Sequence, residues 1–120
     1  MSQRARCHCG AVVLAFPRLA LETARRCTCS YCRRRGAIAV SVPVAELIVE
    51  RGDTLRLYQF GTNTAEHWFC SVCGIYTHHR RRSNPSEFGV NLGCIEGLQP
   101  ELLTRLEVPW VDGVNHPSDR

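Results

Sequence analysis

The sequence predicts a mostly β, single domain built around metal-binding cysteine knuckles, and three observations point there. Apolar and β-branched runs are short and are cut by Gly-, Pro- and Asp-containing turns. Almost no stretch repeats with a helical period. Eight cysteines in 120 residues fall into three tight clusters and one single. A chain of this length forms one domain, residues 1–120, and buries roughly two-thirds of its unfolded surface.

The elements follow in order. Ala11 to Phe16 is apolar and β-branched, and Pro17 ends it. Ala37 to Val42 alternates small and β-branched residues. Leu47 to Glu50 and Leu55 to Phe60 flank Arg51-Gly52-Asp53-Thr54, which reads as a hairpin turn. His67-Trp68-Phe69 leads into a cysteine cluster, Ile75 to His78 leads out of it, and Phe88 to Leu92 is a further strand. One helical turn is expected at Gln99 to Leu103, with Pro100 near its start. No run approaches the roughly 18 apolar residues of a membrane span. Met1 to Arg6 has no apolar core, which argues against a secretory signal and for the cytoplasm.

The clusters are Cys7-His8-Cys9-Gly10, Cys27-Thr28-Cys29-Ser30-Tyr31-Cys32 and Cys70-Ser71-Val72-Cys73-Gly74, and Cys94 stands alone. Thiols this close in sequence are placed to share an ion and poorly placed to bridge each other. A disulfide framework would suit an even cysteine count, but a cytosolic chain keeps its thiols reduced. Iron–sulfur ligation uses thiolates too, yet the usual ferredoxin spacings are absent. Zinc, tetrahedral and thiolate-loving, is the better fit. The first and third clusters each end in Cys-Gly, where glycine reaches the positive φ of a knuckle turn and backbone N–H groups steady the sulfurs. They are expected to face each other on one structural ion. The middle cluster has no such glycine and leaves one position of a second ion open. Cys94, a histidine, water or an exogenous thiol would fill it.

The net charge is +4 and every one of the 15 basic residues counted as Lys or Arg is arginine. A GC-rich genome accounts for the total. Arg33-Arg34-Arg35, directly after the middle cluster, would offset thiolate charge beside Arg25 and Arg26, or form a solvated strip. Arg80-Arg81-Arg82 is a second run.

Cys-His-Cys-Gly, Cys-x-Cys-x-x-Cys, Phe69-Cys70-x-x-Cys73-Gly74 and Asn91-Leu92-Gly93-Cys94 together resemble the glutathione-dependent formaldehyde-activating (GFA) family, which includes the related domain of centromere protein V. Tyr58 to Thr62, Tyr76 to Arg80 and Val111 to Pro117 extend the likeness over nearly the whole chain, which is closest in kind to the short bacterial branch. The resemblance implies several coiled, mostly antiparallel sheets. It implies structural zinc on Cys7, Cys9, Cys70 and Cys73 and a labile, catalytic zinc on Cys27, Cys29 and Cys32. It also implies a carbon–sulfur lyase that joins formaldehyde to glutathione.

The residues make that chemistry reasonable. A thiolate attacks a carbonyl, and Arg33, Arg34 and Arg35 are candidates to clamp glutathione's carboxylates. His78, His79 and Glu66 are candidate proton carriers, and Cys94 is a candidate fourth ligand or reactive thiol as well as a small buried side chain. The other class is a zinc module for nucleic acid or a protein partner. Aromatics are 8% of residues and do not interleave with the arginines, which weakens a base-stacking surface. The expected partners are therefore glutathione or another small thiol plus an aldehyde, with no membrane; the sequence leaves a homodimer open.

Overall fold

The computed structural model of this chain describes residues 1–115. His116 and Pro117, the last residues of the Val111 to Pro117 motif, lie outside them. Among the described residues, ten short strands in three sheets, two six-residue α-helices and three single 3-10 turns make up the regular structure. The mostly β expectation holds.

β1 (Gln3–Arg6) and β2 (Val13–Phe16) form an antiparallel hairpin around the Cys7–Cys9 knuckle. The sequence reading missed β1: its alternating Gln3-Arg4-Ala5-Arg6 buries only Ala5, so no apolar run announces it. β5 (Ile48–Arg51) pairs with the other edge of β2. The second sheet has five strands in the order β4-β9-β8-β7-β6, all antiparallel. These are β4 (Ala39–Pro43), β6 (Leu55–Tyr58), β7 (Glu66–Cys70), β8 (Tyr76–Arg80) and β9 (Glu87–Asn91).

One expectation fails here. Arg51 to Thr54 does turn, with Leu55 N–H donating to Gly52 C=O at 3.0 Å, but β5 and β6 are not a hairpin. β5 joins β2 and β6 joins β7, so the turn carries the chain from one sheet to the other. Turn chemistry is local, whereas the partner of each strand is chosen by distant apolar faces.

The two sheets close on a core of Val12, Leu14, Phe16, Val40, Val42, Val90 and Leu92, with Cys7 and Cys70 at its edge. Burying such side chains stabilises by about 1.5–3 kcal/mol each. β3 (Arg26–Cys27) pairs in parallel with β10 (Trp110–Val111) to form the third, two-stranded sheet. Between β3 and β4 lies α1 (Ser30–Arg35); α2 (Pro100–Arg105) begins with Pro100 as expected. No helix among the described residues is long and apolar enough to cross a membrane.

Candidate functional site

Two groups of cysteines converge. Cys7, Cys9, Cys70 and Cys73 have their Sγ atoms within 4.8 Å of one another. The first pair comes from the β1–β2 turn and the second from the β7–β8 turn, so the group joins the two sheets. Cys7 and Cys9 Sγ lie 3.6 Å apart, and Cys9 and Cys70 Sγ 3.7 Å apart. A tetrahedral zinc with bonds of about 2.3 Å spaces its sulfurs by about 3.8 Å. The donor set and these spacings fit that ion. Gly10 and Gly74 take φ of 82° and 79°, which lets each knuckle turn without strain.

The surroundings already favour thiolate. Val12 N–H donates to Cys7 Sγ at 3.3 Å, and Thr54 Oγ1 is 3.3 Å from Cys70 Sγ. Desolvation opposes the Cys70 thiolate, but the Thr54 hydroxyl and the N–H groups of Cys73 and Val72 bring its pKa down to about 6. Cys9 is the reverse. The Ala11 N–H favours its thiolate, yet desolvation and the sulfurs of Cys7, Cys70 and Cys73 push it up to about 11. Four neighbouring sulfurs cannot all ionise without a cation among them.

Cys27, Cys29 and Cys32 form the second group, again with all three Sγ atoms within 4.8 Å. It too has the donor set of a thiolate-bound zinc. Cys29 is the N-cap of α1, its Sγ accepting from Cys32 N–H at 3.3 Å, and Gly36 (φ 65°) ends the helix. The thiols of Cys27 and Cys32, then the N–H groups of Cys32 and Tyr31, pull the Cys29 pKa far below its ordinary value against the effect of burial. Cys32 moves the other way, because it shares protons with Cys27 and Cys29 and is largely buried.

Above this group is a cavity of about 160 Å³. Its walls come from β3, α1, β7, β8, the loop after β8, and Val111 to Gly113. Gly113 forms part of the roof: a Cβ there would stand 2.4 Å from Cys27 Sγ. Its N–H donates to Thr28 Oγ1 at 3.1 Å, and its C=O accepts from Arg82 at 2.9 Å.

Arg35 is the hub of one wall. It donates to Cys32 Sγ (3.4 Å), His67 Nδ1 (3.0 Å) and His79 Nδ1 (3.2 Å), and its guanidinium lies 3.7 Å over the Tyr76 ring. Because Arg35 only donates, both histidines accept at Nδ1 and carry their proton on Nε2. Burial first, and the Arg35 charge second, hold His67 down to about 4 and His79 well below its ordinary value. Both rings are neutral near pH 7. Tyr76 reaches His79 Nδ1 at 2.5 Å through a bulge: Thr77 is the extra residue between the Phe69↔Tyr76 and Trp68↔His78 pairs, so Tyr76 and His79 share a face. On the far side of Arg35 an open groove of about 520 Å³ is lined by Tyr31, Tyr58, Phe69, Ile75 and Tyr76.

The candidate residues from the sequence divide as follows. Cys27, Cys29, Cys32, Arg35 and His79 meet at the cavity. Arg33 and Arg34 are exposed on the outer side of α1 and do not line it. His78 sits between Trp68 and Phe88 instead. Glu66 pairs with Arg80 at the start of β7, away from the cavity. Cys94 belongs to neither sulfur group; its buried thiol lies 3.7 Å from Tyr76 C=O, and burial, then Cys7 and Cys73, push its pKa up to about 12. Sequence reasoning named the Arg80 to Arg82 run and the Val111 to Pro117 motif but gave His67, Arg81, Arg82 and Gly113 no role in the site. His67 was only partly within reach: counting back across the Cys70–Cys73 turn sets it opposite His78, and the bulge at Thr77 moves its partner to His79. Gly113 was not, because nothing local joins it to Cys27.

The model of the family described as glutathione-dependent formaldehyde-activating enzyme matches residues 2–110. A crystal structure of a Rhodobacter sphaeroides protein is also similar, at 56% identity and a TM-score of 0.83 over 90% of this chain and 99% of that one. With one four-cysteine and one three-cysteine group in the expected places, this chain belongs to the glutathione-dependent formaldehyde-activating enzyme family.

Proposed function

We propose that this protein is a zinc-dependent, carbon–sulfur lyase-type enzyme that binds glutathione or another small thiol and joins it to formaldehyde or a related aldehyde. The observation that carries the reading is the contrast in ligand number. Cys7, Cys9, Cys70 and Cys73 complete a structural ion by themselves, whereas Cys27, Cys29 and Cys32 leave a place free beneath a cavity. A zinc ion on the three thiolates would supply Lewis acidity and hold an incoming thiol as thiolate.

The chain's own residues do the rest. Cys29 Sγ accepts from Cys32 N–H at the start of α1, and Arg35 offsets the negative charge at Cys32. His67 and His79 have Nδ1 committed to Arg35, so Nε2–H is what each has to offer. A neutral imidazole N–H stabilises a developing carbonyl oxyanion without bringing a full charge. They act here as hydrogen-bond donors and not as carriers that cycle a proton near neutral pH. The body of a thiol larger than the cavity would occupy the tyrosine-lined groove, which shares Arg35 and Ala37 with it.

Calorimetric titration of the zinc-loaded protein with glutathione tests this, together with adduct formation from formaldehyde measured above the uncatalysed rate. One thiol per chain and acceleration lost in Cys29→Ser are expected. Loaded protein that binds no thiol but retains mixed oligonucleotides on a filter would overturn the reading in favour of a nucleic-acid module.

A further inference from the structure

The cavity carries more positive charge than a neutral aldehyde needs. Arg25, Arg26, Arg35, Arg81 and Arg82 line it, against Asp112 and the sulfurs of Cys27, Cys29 and Cys32. One of these arginines is built in deeply. The Arg81 side chain is only 10% exposed. Arg25 and Arg81 share one carboxylate behind the wall: Arg25 Nη2 and Arg81 Nε both lie 3.0 Å from Glu87 Oε1. That oxygen is also 3.2 Å from Ser41 Oγ. One carboxylate between two guanidinium groups leaves a surplus positive charge. The N–H groups at Arg25 Nε and Arg81 Nε are buried and find no acceptor with hydrogen-bond geometry. Burial, and then Arg25, hold Arg81 below the ordinary arginine value, yet guanidinium stays charged in proteins. Both residues also line the cavity, where an anion would offset the surplus charge.

The placement of the arginines narrows the anion. A two-carbon acid fits the cavity of about 160 Å³. The groove that would take the body of a larger thiol shares Arg35 and Ala37 with the cavity, but not Arg25 or Arg81.

We propose that Arg25 and Arg81 form a carboxylate subsite, and that the carbonyl compound taken into the cavity is a small aldehyde acid, its carboxylate on the guanidinium pair and its carbonyl towards Cys27, Cys29 and Cys32. This names the substrate class of the thiol-adduct reading above and rests on it. The step is an addition. The thiol sulfur bonds to the aldehyde carbon, the C=O π bond opens, and the thiol proton ends on the new hydroxyl. Nothing is oxidised or reduced, and the carboxylate is unchanged. Arginine forks match a carboxylate in two parallel hydrogen bonds. A charged hydrogen-bonded contact of this kind contributes about tenfold or more in selectivity.

The test compares glyoxylate with its methyl ester, which has the same aldehyde and no charge. Both are offered to the zinc-loaded protein with 2-mercaptoethanol, a thiol without carboxylates, and again with glutathione; formaldehyde is the reference. The expected kcat/KM favours the acid over the ester by about tenfold with either thiol. In Arg25→Gln and Arg81→Gln that ratio falls towards one. If Arg81→Gln does not fold, Arg25→Gln carries this arm, because its side chain is 34% exposed. Calorimetric titration with glyoxylate alone reads the subsite without turnover and should saturate. Equal use of acid and ester overturns the subsite, while formaldehyde turnover would leave the thiol-adduct reading standing. A preference seen only with glutathione assigns the carboxylate to the thiol and overturns it too. Saturable glyoxylate binding with no adduct from any carbonyl fails the reading and keeps the anion subsite.

Discussion

The two cysteine centres use the same side chain for opposite ends. Cys7, Cys9, Cys70 and Cys73 come from two hairpin turns in two different sheets, and their cluster is the bolt between them. Cys27, Cys29 and Cys32 come from one short segment at the head of α1. On the proposed reading, removing an ion from the first would separate two halves of the fold, and removing one from the second would leave the local helix and its neighbours in place. Ligands gathered from distant parts of a chain couple metal binding to folding; ligands gathered locally leave the ion exchangeable.

The largest expected effect breaks the bolt. Structural zinc contributes about 10–16 kcal/mol in zinc-finger peptides, against a net stability of about 5–15 kcal/mol for a domain. Cys70→Ser or Cys9→Ser should therefore give unfolded or insoluble protein by circular dichroism. A well-folded Cys70→Ser chain that keeps this ion would end the comparison. Cys29→Ser is the counterpart: its dichroism stays near the parent's, and metal analysis finds one ion fewer. A mild chelator should likewise strip the three-cysteine group first.

That much was legible in the sequence, because knuckle spacing is a local signal. The phase of the arginine run was not. α1 is six residues long with no apolar stripe, so its period does not stand out. Once the helix is known, Cys32 and Arg35 are i, i+3 neighbours on one side, while Arg33 and Arg34 turn outward. The same limit hid the sheet crossover at Arg51 to Thr54 and the roof at Gly113. Each depends on a partner that only the folded chain brings near.

Arg35 sharpens the comparison at an intermediate scale. Arg35→Ala removes donors from Cys32, His67 and His79 at once. It should cost about 2–4 kcal/mol and speed chelator release of the second ion. Arg33→Ala and Arg34→Ala should each stay within about 0.5 kcal/mol. Denaturant midpoints and metal-release rates for the three variants check this, and equal effects would refute Arg35's special place.

The smallest effect is graded by pH. Burial holds His78 down to about 4, as burial and Arg35 do His67. The unfolded chain takes these protons near pH 6.5, so between about pH 6.5 and about pH 4 it binds more protons than the folded chain. Stability must then fall as pH drops through that window, by at most ~1.4 kcal/mol per pH unit for each histidine. His78 lies among Trp68, Phe88 and Thr77, outside both cysteine groups. His78→Gln should flatten the slope by up to one proton in denaturant titrations at about pH 7 and about pH 5. An unchanged slope would mean that the histidine titrates alike in both states.

The roof of the cavity is held by a two-residue ladder and a few side-chain contacts, among them Gly113 N–H to Thr28 Oγ1 and Arg82 to Gly113 C=O. β3 and β10 pair over two residues, with Arg26 N–H to Pro109 C=O and Thr28 N–H to Val111 C=O, both 3.0 Å, flanking them. The five-stranded sheet has longer ladders on a packed core. Openings that break few bonds cost a fraction of global unfolding. Amide hydrogens at Thr28 and Gly113 should therefore exchange with solvent faster than those of β8 and β9. The mouth of the cavity would then open and shut on a clock of its own, independent of the two larger sheets.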